Sequence, residues 1–342
     1  HLPMSFITNI RSVAKYESKI LVRSWFFRIF TLLAVVFLGF FNFAMMLMED
    51  NFGLWFAKSV SSNIPYLNLL LLNTGQAVVA VFLSSEFLKR DKKLDTSEVF
   101  YVRPLSNAEY VVGKIWGNLR VFLFLNLLVL AIVLAFNFMA SGVTVDLPAY
   151  LVYFFLISIP TLIFIIGLSI FLMLLLKNQA LTFILLLGYI GLTLFYIQDK
   201  FYYLFDYMVY NLPLFKSTIV GFSNLELILN HRAIYFFAGL GFIFFTIFLF
   251  KRLPNARRSH YPWLFLSFCM FLLMGTAGFR HVRSILREGE MRALYTSINN
   301  KYVYEPKMAI DYYDISVEQK SETIRSVVGM EGTALAVSEV FI

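Results

Sequence analysis

The chain has 342 residues, of which 59% are hydrophobic, 18% aromatic and only 15% charged, with a mean hydropathy of +0.73. No soluble domain needs that much apolar surface, and runs of about 20 apolar residues recur, so the composition gives an all-α polytopic membrane protein. A formal net charge of +8 would suit nucleic acid, but the basic residues flank the apolar runs, and anchoring at an anionic leaflet is the better account.

In chain order, His1-Leu2-Pro3 ahead of Met4 read as a remnant foreign to the natural chain. Residues 5–25 interleave Phe6, Ile10, Val13, Ile20 and Leu21 with Arg11, Lys15, Lys19 and Arg23. That pattern is a basic amphipathic helix on the cytoplasmic face, or equally the positive flank of the first span; residues 1–28 form this first unit. A cleavable signal is excluded, because a short apolar core and a small-residue cleavage site are missing.

The first span is expected at 29–48, followed by an exterior loop with Glu49, Asp50 and Trp55. The second is expected at 64–88. Within it Asn73, Gln76, Ala80 and Ser84 share one helical face, which should point at another helix, a partner subunit or a substrate path. The third covers 121–139, with Asn126 its most buried-looking polar residue. An exterior loop at 140–148 lacks lysine and arginine. The fourth span, 150–176, carries Pro160 at its middle and should kink there. Lys177-Asn178-Gln179 makes an interior turn into the fifth span, 181–197, where Gly188 and Gly191 permit close helix approach.

Residues 198–232 form a longer exterior segment whose Phe201, Tyr202, Tyr203, Phe205, Tyr207 and Tyr210 suit an interfacial aromatic belt. Leu212-Pro213-Leu214 breaks the chain before a separate short helix from Asn224. The sixth span, 233–250, is closed by Lys251, Arg252, Arg257 and Arg258, and a seventh follows at 262–279. Trp25, Trp55, Trp116 and Trp263 all fall at expected span ends, where amphipathic rings settle. Residues 281–302 look helical. Beyond Pro306, Ile315 and Val317 alternate with Ser316 and Glu318, and 334–342 is again strand-like, so 281–342 reads as the start of a β-rich extracytoplasmic domain, cut short at Val340-Phe341-Ile342.

No cofactor or metal is expected. The single cysteine, Cys269, lies in an apolar run, and His1, His231, His260 and His281 are scattered without ligand spacing.

The densest polar stretch within the spanning region is 86–120. Lys89, Arg90, Lys92, Lys93, Arg103, Lys114 and Arg120 assign it to the cytoplasmic side. Asp95 and Glu98 can cap a short helix that Pro104 stops, and Ser106 with Glu109 is a capping box opening the next helix through Gly113-Lys114. Here the residues resemble ABC-2 type transporter permeases: Glu86 at the end of span two, Arg90-Asp91, Leu94 with Glu98, Pro104, then Gly113-Lys114 opening span three. The resemblance covers residues 10–250 and implies a six-span permease domain at 29–250, with the seventh span at 251–280 as an addition.

It further implies that the short helix is a coupling helix docking on a separate ATP-binding subunit through Glu86, Asp91, Leu94, Glu98, Phe100 and Arg103. The permease would pair with a second permease subunit. An interfacial N-terminal helix, and re-entrant helices between spans five and six, belong to the same expectation. So do placement in a bacterial inner membrane, a cytoplasmic N-terminus and an extracytoplasmic C-terminus. No Gly-x-x-x-x-Gly-Lys loop is present, so this chain is expected not to be an enzyme, and hydrolysis would come from the partner. Some permeases of this type are fused to a periplasmic zinc aminopeptidase, which keeps a membrane anchor for a periplasmic hydrolase open as the alternative. An ion-coupled transporter is disfavoured, since the expected span centres offer only amides and hydroxyls.

Overall fold

The computed structural model describes residues 2–47, 60–85, 105–139, 144–214, 216–217, 221–222, 224–250, 261–304, 308–320 and 323–334. Glu86, Asp91, Leu94, Glu98, Phe100 and Arg103 lie outside them, as do Trp55 and the basic cluster at 251–258.

Eight helices carry the fold of the described residues. They are α1 (Leu2–Arg23), α2 (Trp25–Leu47), α3 (Asn63–Ser85), α4 (Asn107–Met139), α5 (Leu147–Leu176), α6 (Gln179–Ile197), α7 (Leu225–Leu249) and α8 (Tyr261–Tyr302). The seven from α2 to α8 are each long and apolar enough to cross a membrane.

Their roles in the bundle differ. The most apolar windows of α3 and α5 are each 61% buried within the chain, against 17% for α2, 22% for α6 and 11% for α8. So α3 and α5 form the centre with α4 and α7, while α2, α6 and α8 present apolar sides outward. In a bilayer those sides meet lipid at no cost. Exposed Leu32, Phe40, Ile184 and Phe265 are therefore ordinary lipid-facing residues.

Two contacts set the spacing of the bundle. At the α5–α7 crossing, a Cβ on Gly167 would stand 2.6 Å from the Gly239 carbonyl, and one on Gly239 would stand 2.7 Å from the Ile163 carbonyl. Only glycine lets these backbones meet. Gly188 and Gly191 in α6, by contrast, face open space, so close approach is made by other glycines than those the sequence suggests.

The kink expected at Pro160 is resolved as a π turn, Phe154–Ser158, immediately before it. Pro160 has no N–H to give the Leu156 carbonyl one turn back, and a wider turn at that point accommodates the ring. Lys177 ends α5 in the left-handed conformation (φ 54°), and the Asn178 side chain accepts from Leu181 N to start α6. The separate helix expected from Asn224 is not formed: Leu225 onward is continuous with the sixth span.

The chain beyond the bundle is extended. α8 has 42 residues, which is about 63 Å of helix, roughly twice the hydrocarbon thickness. Its second half, exposed from Gly289 on, leads to the antiparallel hairpin β3 (Met308–Lys320) and β4 (Thr323–Ala334), here numbered after the two-residue strands β1 (Lys216–Ser217) and β2 (Gly221–Phe222). Ile315 and Val317 do lie on one side of β3, but they are 58% and 61% exposed, so among the described residues nothing covers that face.

Candidate functional site

Three sets of side chains position the polar chemistry of the bundle. The first fixes the base of α4. Ser106 and Glu109 form the capping box: Glu109 N donates to Ser106 Oγ at 3.2 Å, and Ser106 N donates to Glu109 Oε2 at 2.6 Å. The other carboxylate oxygen of Glu109 accepts from Asn9 Nδ2 at 2.9 Å, which ties α1 to the same point.

From there α1 runs parallel to α4, turn for turn. A Cβ on Gly113 would stand 2.7 Å from Val13 Cβ, and one on Gly117 would stand 2.8 Å from the Ala14 carbonyl. Lys114 pairs with Glu17 at 3.7 Å, both side chains 3% exposed. Further along, Ser18 Oγ donates to the Gly117 carbonyl and Arg120 Nη2 to the Ala14 carbonyl. The apolar side of α1 is thus spent on α4 within the chain. Its outward side carries Arg11, Lys15, Lys19 and Arg23, all exposed. Gly113-x-x-x-Gly117, a close-approach spacing in membrane helices, is the sequence signal that could have found this contact.

The second set is the amide stripe of α3. Asn73 Nδ2 donates to Asn126 Oδ1 at 3.0 Å, Asn126 Nδ2 donates to Gln76 Oε1 at 2.7 Å, and Ser158 Oγ donates to Asn126 Oδ1 at 2.8 Å. Asn73, Gln76, Asn126 and Ser158 are fully buried. The stripe therefore stitches α3 to α4 and to the π turn of α5. One turn towards the other end, Asn42 and Asn68 exchange a reciprocal pair of amide bonds between α2 and α3. Ser84 lies in the last turn of α3.

The third set is not apparent from the sequence. It surrounds the segment between α6 and α7, where Phe201, Tyr202 and Tyr203 make a left-handed turn (φ 52°, 59° and 61°). Left-handed backbone costs roughly 1–2 kcal/mol per non-glycine residue, so surrounding contacts must hold it. The Phe201 and Tyr203 carbonyls accept from Leu204 N and Asp206 N, both at 3.1 Å, and side chains from the spans supply further donors. His281 Nε2 meets the Tyr202 carbonyl at 2.9 Å, His231 Nε2 the Tyr203 carbonyl at 3.0 Å, and Tyr235 Oη the Leu204 carbonyl. Tyr66 Oη donates to the Val209 carbonyl at 3.2 Å, and Tyr153 Oη to the Leu214 carbonyl at 2.6 Å.

Arg232 joins this segment to the π turn. Its Nε donates at 2.6 Å to the Leu156 carbonyl, the one Pro160 leaves without its usual donor, while Nη1 donates at 2.8 Å to the Tyr207 carbonyl. Nη2 donates at 2.9 Å to Thr161 Oγ1. Asp206, fully buried, accepts from Tyr210 N at 3.0 Å and Asn211 N at 2.8 Å. Burial pushes its carboxyl above the usual range, against the pull of the Asn211 and Tyr210 N–H groups and of Arg232. A buried cation thus lies in the second turn of α7, although only amides and hydroxyls are expected at the span centres. The expected boundary at Ala233 leaves it outside the span.

These features define a multi-pass membrane protein with a hydrogen-bonded polar seam between its helices and a segment between α6 and α7 gripped by side chains. Among the described residues, no group of three His, Cys, Asp or Glu stands where it could hold a metal ion. No protein-family model matches the chain, and no curated protein matches it.

Proposed function

We propose that the chain is the membrane-spanning permease subunit of an ABC exporter, working with a separate ATP-binding subunit and a second permease subunit. The observation that carries this reading is the polar stretch between spans two and three, with the family's residues at Glu86, Arg90-Asp91, Leu94, Glu98, Pro104 and Gly113-Lys114. The anchored exit of that stretch supports it. A helix that receives force needs a stiff mount, and Glu109, Gly113, Lys114 and Gly117 bind α4 to α1 just beyond Pro104. In this reading Leu94 and Phe100 provide the apolar contact on the ATPase, and Glu86, Asp91, Glu98 and Arg103 the polar one. The chain lies in a bacterial inner membrane with α1 on the cytoplasmic side, and it does no covalent chemistry.

The test is the double substitution Leu94→Asp, Phe100→Asp in the full chain, followed by purification with its ATP-binding partner and measurement of ATP turnover. Loss of co-purification, with the chain still monodisperse in detergent, is expected. Unchanged co-purification would remove the coupling assignment.

A second reading, a membrane anchor for an extracytoplasmic hydrolase, is favoured by the long exposed half of α8 and the hairpin it carries. Failure to recover any ATP-binding partner with the wild-type chain would decide for it.

A further inference from the structure

We propose that His231 and His281 form a proton-operated latch on the turn that joins α6 to α7. The proposal does not depend on the permease reading; it rests on the geometry of the two rings. They come from different helices, α7 and α8, and meet with centroids 5.0 Å apart. Both are fully buried.

Each ring is committed by its partner. A carbonyl oxygen can only accept, so Nε2 of His281 must carry a proton for Tyr202, and Nε2 of His231 must carry one for Tyr203. The neutral rings therefore hold Nδ1 as a bare lone pair, and both Nδ1 atoms are buried without a hydrogen-bond partner. Protonation would add an N–H at each Nδ1, plus a positive charge, in a place built for neither.

The surrounding charges make the same point from every side. On α7, Arg232 adjoins His231, and the Tyr235 ring lies edge-on to it at 5.3 Å. On α8, Arg280 adjoins His281 and is turned outward to Glu226 at 3.2 Å, in a pair too exposed to neutralise the buried rings. The turn itself offers Tyr202 and Tyr203, whose carbonyls are already used. Asp206 faces Arg232 and the N–H groups of Tyr210 and Asn211. The Leu227 carbonyl also lies by the His281 ring, and a neutral dipole offsets little of a buried charge.

A proton on His231 thus places a second cation beside Arg232, and a proton on both rings sets two cations 5.0 Å apart across the α7–α8 contact. The rings then part, the Tyr202 carbonyl loses its imidazole donor and the Tyr203 carbonyl keeps only Asp206 N, and the left-handed turn relaxes to an ordinary backbone. Closed at neutral pH, the turn opens as pH falls through the imidazole range.

Backbone hydrogen exchange of residues 199–210 in the full chain, in lipid nanodiscs from pH 7.5 to 5 and corrected for intrinsic rates, tests this. The opening fraction should rise about tenfold for each pH unit below about 6.5 if one ring takes a proton on opening, and up to about a hundredfold if both do. In His231→Gln, His281→Gln the amide Nε2 can still donate to the same carbonyls but takes no proton, so exchange should stay slow and flat across the range. Wild-type exchange that does not change with pH, or a pH dependence that survives in the double variant, would overturn the latch. Should the double variant fail to fold, ¹⁵N spectra of histidine-labelled wild type give an independent reading. Nε2–H neutral rings at pH 7.5 are required, and a charged or Nδ1–H ring at that pH refutes the proposal.

Discussion

Asp206 is the residue whose environment makes the sharpest pH statement outside the spans. Its carboxyl is raised by burial, so the folded chain keeps a proton that the unfolded chain releases. The favourable contribution is present below the ordinary carboxylate value of about 4 and is lost as pH rises through the raised value. Relative to Asp206→Asn, the wild type should therefore lose thermal stability as pH goes from about 4 to 7, and melting curves of both across that range check the sign. Asn126 makes the clearest packing statement. Replacing it with alanine removes one interhelical hydrogen bond each from Asn73, Gln76 and Ser158, and about 2 kcal/mol of stability should go, at roughly 0.6 kcal/mol or more per bond. The Asn73→Ala, Asn126→Ala double variant should cost less than the sum of the singles in detergent unfolding. The α3 stripe was legible because Asn73 and Gln76 recur at helical spacing; Ser158 was not, since nothing in a sequence says which turn of another span faces the stripe. Arg232 and His231 escaped for a different reason. Charged residues normally end an apolar run, and here they begin a helix that buries them against carbonyls freed by a proline and a left-handed turn.

At the level of elements, hydropathy located all seven long apolar helices, because a run of about twenty apolar residues matches the thickness of the hydrocarbon core. Their ends were less readable. The stretch from Leu225 to Arg232 joins the sixth span, since helical hydrogen bonding continues through exposed Glu226 to Arg232, whose charge finds buried partners. The π turn before Pro160 likewise depends on a donor from α7. The α1–α4 contact yields its own prediction: Gly117→Leu drives a side chain into the Ala14 carbonyl and Glu17, and overpacking of this kind costs about 1–3 kcal/mol. Trypsin should then cut at Arg11, Lys15 or Lys19 about tenfold faster or more, on a gel time course against wild type. An unchanged rate would mean that α1 is held elsewhere.

For the molecule as a whole, seven helices are each long and apolar enough to cross a membrane, and the permease reading proposed above puts α1 on the cytoplasmic face and the β3–β4 hairpin on the other. In sealed inside-out vesicles, where the cytoplasmic face is turned outward, protease should reach Lys15 and spare Arg325, and in right-side-out vesicles the reverse; cleavage of both from one side would break the topology. The centre of the bundle is α3, α4, α5 and α7, sewn together by amides, glycines and one guanidinium, while α2, α6 and α8 lean on it from outside. That division was not readable from hydropathy, which is similar for central and peripheral helices. α8 packs on the bundle along its first half, through Ser267, Phe271, Ala277 and His281, and for about a turn more through Ile285. Beyond His281 about 30 Å of helix remains, free-standing from Gly289 on. Tilting its foot by about 10° would swing the hairpin sideways by ~5 Å, so a small rearrangement at the two imidazoles becomes a large sweep at the tip, where a fluorophore on Tyr304 would record it.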